Sequence, residues 1–575
     1  MYKQSFRVCF CFRRRFRTNV AEAPEDVEMM FRKYSENGIM NIDHLQRFLE
    51  EIQGESSDTK AQAIFNNLKH LGIFQRRGLR LEDFFRYLFG DLNLAFSPSQ
   101  GVYQDMGAPL SHYYIFTGHN SYLTGNQLSS DSSVTPIIRA LNRGVRAIEL
   151  DLWPNSKKND IDVLHGGCRT LTAPVKLIKC LRAIKDHAFT ASEYPLVITF
   201  EDHLTPDLRK EVARMVTATF GDMLYVPRSE YLNGFPSPES LRRRILISTK
   251  PPEHTKGESI KEKPSADKQR DTADDDIWES VQQQQDMDED HLEEEEEEDK
   301  DENNAVPEYR SLIAIHAGKM KSGSSLKALF NDIEKVSRLS LSEQELENAI
   351  RKHGRDIIRF TRRNLLRVYP KGLRLDSSNY NPMLGWTHGA QMVAFNMQGY
   401  GKYLWIMEGM FRGNGGCGYI KKPDVLLKNL DDPASYSEST SSAIISRLKV
   451  KVYMGEGWHL EFGLSHFDFY SPPDLYVKVG IVGVRKDTET RKTSAIEDEW
   501  IPVWNEEFCF SISAPELALL NVVVRDYDTS GKDDFAGQTC LPVTELRSGI
   551  RSVPLYSRKG EKFKHVKLLM RFEFE

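Results

Sequence analysis

At 575 residues the chain is too long for one hydrophobic core, so three or four domains are expected. Its composition (40% hydrophobic, 28% charged) is that of a globular protein, and the absence of any run near twenty apolar residues excludes a transmembrane helix. The seven cysteines lack metal-ligand spacing and fit a reducing cytosol better than a disulfide framework; the net charge of −6 conceals an acidic tract at 286–302, without which the rest of the chain carries about +6.

Residues 1–20 read as a basic arm. Lys3, Arg7, Arg13, Arg14, Arg15 and Arg17 suit an anionic membrane or nucleic acid, and the interleaved Phe6, Phe10, Phe12 and Phe16 favour the membrane interface. Arginines interrupt the apolar residues, so no secretory signal is expected. Cys9 and Cys11 are candidate palmitate acceptors; no glycine follows Met1, so myristoylation is not expected.

Residues 21–95 read as helical. Pro24 sits just inside a start, and Val27, Met30, Phe31 and Tyr34 follow helical spacing, as do Leu45, Phe48, Leu49 and Ile52. The turn Tyr34-Ser35-Glu36-Asn37-Gly38 resembles an EF-hand loop. With Gly38 at its sixth position, Lys33 and His44 occupy the first and twelfth, where carboxylates belong. The segment is expected to keep the EF-hand shape and to have lost the ion.

From 106 to 250, short β-rich runs (Tyr113–Phe116, Val145–Asp151, Ile161–Leu164, Leu196–Phe200, Ile245–Ile247) alternate with helical stretches. That pattern predicts a parallel α/β sheet. Polar residues gather at the C-terminal ends of the runs (His119, Asp151, His165, Glu201, Lys250), where a (β/α) TIM-type barrel collects its chemistry. Residues 251–306 are charged and nearly without aliphatics, which predicts a disordered acidic linker. Alternation resumes over 307–426, with strands at Leu312–Ile315, Leu365–Tyr369 and Met392–Asn396 and a helix at 342–353. The linker is therefore expected to split one barrel into two halves. From 444 to 575, regular strands with turn signals and no helices predict an antiparallel β-sandwich.

Residues two apart on a strand share a face, so Glu149 and Asp151 point the same way. Paired carboxylates in a barrel mouth are costly unless a cation neutralises them. Asn120 and Glu201 supply two further oxygens. All four donors are hard and no cysteine joins them, which favours Ca²⁺ or Mg²⁺ over zinc. With His119 and His165 nearby, this constellation predicts metal-assisted chemistry on a phosphate ester.

Gly118-His119-Asn120-Ser121-Tyr122-Leu123, Glu149-Leu150-Asp151, His165-Gly166 and Phe200-Glu201-Asp202-His203 resemble the first catalytic half of eukaryotic phosphoinositide-specific phospholipase C. Arg367-Val368-Tyr369-Pro370, Asp376-Ser377-Ser378-Asn379-Tyr380-Asn381-Pro382 and Asn414-Gly415-Gly416-Cys417-Gly418-Tyr419 resemble its second half. The degenerate helix pair, the acidic linker and the lack of an N-terminal pleckstrin-homology domain are most similar to the plant enzymes.

The resemblance implies Ca²⁺ held by Asn120, Glu149, Asp151 and Glu201. It implies His119 and His165 as catalytic histidines, Glu149 as the usual candidate for the first base, and Lys250, Ser342, Arg367 and Tyr369 as the grip on the inositol ring and its phosphates. The reaction implied is cleavage of phosphatidylinositol bisphosphate to diacylglycerol and inositol trisphosphate. Ser248 stands where the family often has the first lysine of a Lys-x-Lys pair, and Leu373 where animal members have a membrane-dipping tryptophan. The C-terminal sandwich resembles a C2 domain, with Asp468, Asp474, Asp526, Asp528 and Asp534 as candidate Ca²⁺ ligands. Peripheral binding to anionic lipids at the inner face of the plasma membrane, a monomeric chain and no nucleic-acid partner complete the expectation. An inactive lipid-binding scaffold and a phosphodiesterase for another lipid headgroup are the alternatives.

Overall fold

The computed structural model describes residues 2–9, 12–18, 22–55, 58–70, 78–96, 101–167, 173–229, 232–251, 306–318, 335–428, 446–463, 466–467, 471–529 and 531–575. The expected disordered linker falls almost wholly outside these residues, as does Asp468.

The N-terminal arm contains two strands, Tyr2–Cys9 and Phe12–Thr18, paired antiparallel from Tyr2↔Thr18 to Cys9↔Phe12. The basic arm was expected without any strands being assigned to it. Four helices follow: α1 (Glu25–Lys33), α2 (Ile42–Glu51), α3 (Asp58–His70) and α4 (Leu81–Phe89). Asn41 caps α2 by accepting from the amide of His44 at 2.8 Å. Met40 and Leu79 exchange backbone hydrogen bonds of 2.9 and 2.8 Å, which ties the turn between α1 and α2 to the segment entering α4. The expected helical region thus holds four helices, with the turn of the α1–α2 pair hydrogen-bonded to the approach to α4.

Eight parallel strands close into a barrel: β1 (Thr117–Gly118), β2 (Ala147–Pro154), β3 (Leu196–Asp202), β4 (Ile245–Thr249), β5 (Ile313–Gly318), β6 (Arg338–Ser342), β7 (Leu365–Tyr369) and β8 (Met392–Phe395). Each pairs with the next, and β8 pairs with β1 through Ala394↔Thr117 and Phe395↔Gly118. Thr117 also registers with Ala147, closing the ring. The expected TIM-type barrel is therefore present, with three local corrections. Tyr113–Ile115 is not a barrel strand but pairs antiparallel with Tyr419–Lys421. Ile161–Val163 forms an antiparallel extension of β2. The helix expected at 342–353 matches the first of two helical runs that meet at a kink at His353 (φ −140°) within Glu343–Thr361 (α5), but β6 before it had no expected counterpart.

The period of two along each strand sorts the chemistry. Ile148, Leu150 and Leu152 pack outward against the helices, while Ala147 lines the barrel interior. Glu149 and Asp151 continue the inward face. The same alternation puts Val197 of β3, Leu246 of β4, Leu365 of β7 and Met392 of β8 in the apolar interior. The inward successors Thr199, Ser248 and Arg367 are polar, so the barrel changes from hydrophobic to charged toward its C-terminal rim.

The C-terminal region is an antiparallel sandwich: β9 (Ser446–Glu456), β10 (Leu475–Val482), β11 (Glu489–Lys492), β12 (Val503–Ile512), β13 (Leu519–Asp526), β14 (Asp534–Pro542), β15 (Gly549–Tyr556) and β16 (Lys562–Phe574). Strand order is β11-β10-β13-β14-β15-β16-β9-β12, and β14 meets β15 at a single registered pair, Gln538↔Tyr556, where the two four-stranded sheets join. A short helix, Trp458–Glu461, corrects the expectation of strands alone.

The sandwich is welded to both neighbours. Helix α6 (Lys402–Arg412) crosses β14 at Gly409, where any Cβ would lie 2.6 Å from Cys540 Sγ, so glycine is required for the close approach. The helical lobe shares one apolar core with Tyr453, Met454, Ile550 and Leu569. Gln53 accepts from the Ile550 amide at 2.7 Å and donates to its carbonyl at 2.8 Å, and buried Arg551 pairs with Glu55 at 2.7 Å.

Candidate active site

Glu149, Asp151 and Glu201 converge at the barrel mouth, each offering an oxygen within 4.8 Å of the others. The register explains why: Asp151 lies directly beside Glu201, and Glu149 beside Thr199. Asp151 is fully buried, and its Oδ1 has no hydrogen-bond partner among the described residues. Burial and the neighbouring Glu201 and Glu149 push its pKa up. A buried, under-satisfied carboxylate beside two more is a donor set built for a hard cation. The described residues contain no other group of three such ligands.

Asn120, the fourth expected ligand, lies beside these carboxylates. Its φ of +43° lies in the left-handed region that asparagine tolerates. This turn after β1 directs the Asn120 amide to Glu149 Oε2 at 3.3 Å, and the Asn120 Nδ2 lies 3.1 Å from both Gln127 Oε1 and His165 Nδ1.

The two histidines flank the carboxylates. His119 lies with Nδ1 3.0 Å from Asn396 Oδ1 and Nε2 3.9 Å from Glu149 Oε2. Burial pushes its pKa down to about 4. His165 Nδ1 is 3.2 Å from Asp151 Oδ2. Burial opposes charge on His165, but Asp151, Glu201 and Glu149 raise its pKa overall. The turn after it needs a left-handed Gly167 (φ +61°), and a Cβ there would meet the Trp153 ring at 2.8 Å. Trp153 in turn stacks on His203 at 3.9 Å, and His203 Nε2 reaches Glu201 Oε1 at 2.9 Å.

Among the substrate-binding candidates, Arg367 is buried and ion-paired with Glu149 while stacking over Tyr369 at 5.3 Å. Ser342 caps α5 through a capping box: its Oγ accepts from the Glu345 amide at 3.2 Å, and Glu345 accepts from the Ser342 amide at 2.6 Å. Lys250 is exposed at the end of β4, whereas Ser248 is fully buried and donates to the Ile315 carbonyl at 3.0 Å.

In the sandwich, Asp526 registers with Asp534, and the Asp474 amide donates to Asp526 Oδ1 at 2.5 Å. Burial and the nearby Asp498, Glu497 and Asp528 raise the Asp474 pKa. Asp498, whose amide donates to Asp474 Oδ1 at 2.8 Å, was absent from the sequence-based candidates.

Three barrel residues were also missed. Arg338 is buried, donates to Thr199 Oγ1 at 3.3 Å, and has its pKa pushed down to about 9 by burial. The alternation Arg338, Ser340, Ser342 was the available signal. Gln127 and Asn396 carried none, because their importance depends on barrel closure.

The phosphatidylinositol-specific phospholipase C X-domain family matches residues 106–251, its Y-domain family matches 312–425, and the C2-domain family matches 446–557. Phosphoinositide phospholipase C 2 of Arabidopsis thaliana is 56% identical over 589 residues, covering 100% of both chains. This chain belongs to the phosphoinositide-specific phospholipase C family. The human 1-phosphatidylinositol 4,5-bisphosphate phosphodiesterase delta-1 is 31% identical over 93% of this chain and 70% of its own. The crystal structure of L. pealei PLC21 matches with a TM-score of 0.74 at 25% identity, covering 96% of this chain and 68% of that one. The chain is accordingly a phosphoinositide phospholipase C by family, a hydrolase with a TIM-type catalytic barrel and a C2 domain. No helix among the described residues is long and apolar enough to cross a membrane.

Proposed function

We propose that this phospholipase C hydrolyses phosphatidylinositol 4,5-bisphosphate to diacylglycerol and inositol 1,4,5-trisphosphate, in a Ca²⁺-dependent reaction at the inner face of the plasma membrane. The observation that carries the proposal is the convergence of Glu149, Asp151 and Glu201 between His119 and His165, with Arg367 against Glu149. Asn120, Glu149, Asp151 and Glu201 would hold the cation. When bound, Ca²⁺ lowers the pKa of the inositol 2-hydroxyl and neutralises charge on the phosphate.

The chain's own groups supply the rest. The 2-hydroxyl attacks phosphorus and the bond to the glycerol oxygen breaks, leaving a cyclic phosphate. Glu149 takes the hydroxyl proton. With the Nδ1 proton of His119 held by Asn396, a second proton, taken up on Nε2 when the phosphate's negative charge arrives, is donated as a hydrogen bond to the phosphoryl oxygen in the transition state. With Nδ1 of His165 turned to Asp151, its Nε2 protonates the departing glycerol oxygen, then removes a proton from the water that opens the ring, while Glu149 returns its proton to the inositol 2-oxygen as the bond from that oxygen to phosphorus breaks. Lys250, Ser342, Arg367 and Tyr369 hold the inositol ring and its phosphates; Ser248 leaves Lys250 as the single lysine of that pair.

The domain plan that accompanies this reading is a basic arm (1–20), an EF-hand-like region (21–95), half-barrels X (106–250) and Y (307–426) around an acidic linker (251–306), and a C2 domain (444–575). The C2 domain recruits the monomeric chain to anionic lipid through Ca²⁺ at Asp468, Asp474, Asp526, Asp528 and Asp534, assisted by the arm. The test is release of inositol phosphates from mixed vesicles with and without Ca²⁺, for wild type and His119→Ala. Calcium-dependent release that His119→Ala abolishes is expected; turnover by wild type at background level overturns the proposal in favour of a non-catalytic scaffold.

A further inference from the structure

We propose that Gln127 is a positioning residue that sets both the cation site and the catalytic imidazole through one side-chain amide. It lies on the loop after β1, is buried, and its side chain hydrogen-bonds three residues. Its Oε1 accepts from Asn120 Nδ2 at 3.1 Å. Its Nε2 donates to Ser377 Oγ at 2.7 Å and to Asn396 Oδ1 at 3.1 Å. Its own amide donates to the Leu375 carbonyl at 2.9 Å, which fixes the loop carrying it.

The orientation of each amide follows from a chain of single assignments. Ser377 has one hydroxyl proton, and it goes to the Gly125 carbonyl at 2.8 Å. Its oxygen must therefore accept, so Gln127 presents nitrogen to it and oxygen to Asn120. Asn120 then presents nitrogen to Gln127, leaving its Oδ1 as the atom for a hard cation. On the other arm, Asn396 receives Gln127 Nε2 on Oδ1 and donates through Nδ2 to the Ser378 carbonyl at 3.4 Å. Its oxygen therefore faces His119 Nδ1, which must carry the proton, and Nε2 turns toward Glu149. Gln127 and His119 belong to the first half-barrel, Ser377 and Asn396 to the second. One amide thus transmits the docking of the halves into both parts of the site.

This inference rests on the proposed roles of Asn120 and His119, and its test separates the two arms. Calcium is titrated calorimetrically into the full chain, with Asp151→Asn supplying the background of the C2 loops, and kcat and KM are measured on mixed vesicles. Outer ligands of this kind change metal affinity or activity by about 10–100-fold. Gln127→Leu should lose about tenfold in barrel Ca²⁺ affinity and about tenfold or more in kcat. Gln127→Glu still accepts from Asn120 but cannot donate to Asn396 or Ser377, and its added charge favours the cation, so Ca²⁺ affinity should be kept or tightened while kcat falls with KM unchanged. Ser377→Ala, a milder change, should move both quantities in the direction of Gln127→Leu. Equal behaviour of the leucine and glutamate variants, or wild-type values in either, overturns the proposal. A wild type that titrates like Asp151→Asn removes the cation site itself, and the proposed function with it.

Discussion

Arg367 of β7 and Glu149 of β2 form a buried ion pair that joins the two half-barrels at the centre of the mouth. Breaking such a pair from one side strands the other charge. Arg367→Ala should therefore do more than remove a phosphate contact. It leaves Glu149, Asp151 and Glu201 with less compensating charge, so turnover should fall about 100-fold while Ca²⁺ binding tightens. Steady-state kinetics with calorimetry checks both signs; weaker Ca²⁺ binding would contradict the electrostatic account.

Asp151 is costly to bury without a cation. Asp151→Asn should raise the melting temperature in excess chelator by about 2–4 °C, because an amide is cheaper to bury than a carboxylate crowded by two others. The same variant should lose the stabilisation that added Ca²⁺ gives wild type. Thermal melts with chelator and with Ca²⁺ test this; a variant that melts lower in both contradicts it.

Glu55 anchors the helical lobe to the sandwich through Arg551 and Arg547. Burial opposes its charge, but the two guanidinium groups win and hold its pKa below the ordinary 4.5. A depressed folded pKa gives stability that is present above 4.5 and lost as pH falls through the lower folded value. Wild type should therefore lose stability in acid through this contact, and Glu55→Gln should be less stable at neutral pH by about 3 kcal/mol, with the difference shrinking as the carboxyl protonates. Denaturant melts at neutral and acid pH measure it; a difference independent of pH sinks the assignment.

The rim of the barrel is apolar in places. Leu373, after β7, is 57% exposed, and Tyr400, after β8, is 65% exposed. Both follow C-terminal ends of barrel strands, the side on which the site opens. Leu373→Ser with Tyr400→Ser should lower hydrolysis on vesicles about tenfold and leave hydrolysis of a monomeric short-chain substrate unchanged. Parallel loss on both substrates would mean damage to the site instead of weaker contact with lipid.

Much of the fold was legible because burial imposes simple periods. The apolar runs before Asp151 and Glu201 announced barrel strands, and the alternation of Leu448, Val450 and Val452 announced the sandwich. Tyr113–Ile115 was misread because a strand sealing the barrel floor and a strand inside the barrel are equally apolar. Glu149, Asp151 and Glu201 stood out through chemical type and spacing. Gln127, Asn396 and Arg338 did not, since an isolated amide or guanidinium gains meaning only from what closure brings beside it.

The barrel is sewn along two seams, β4 against β5 and β8 against β1, and every strand is complete on one side or the other of residues 252–305. A nick anywhere in that stretch spares all eight staves. The two resulting polypeptides should stay clasped together and keep working as one enzyme, and neither piece expressed by itself should hold a finished catalytic centre.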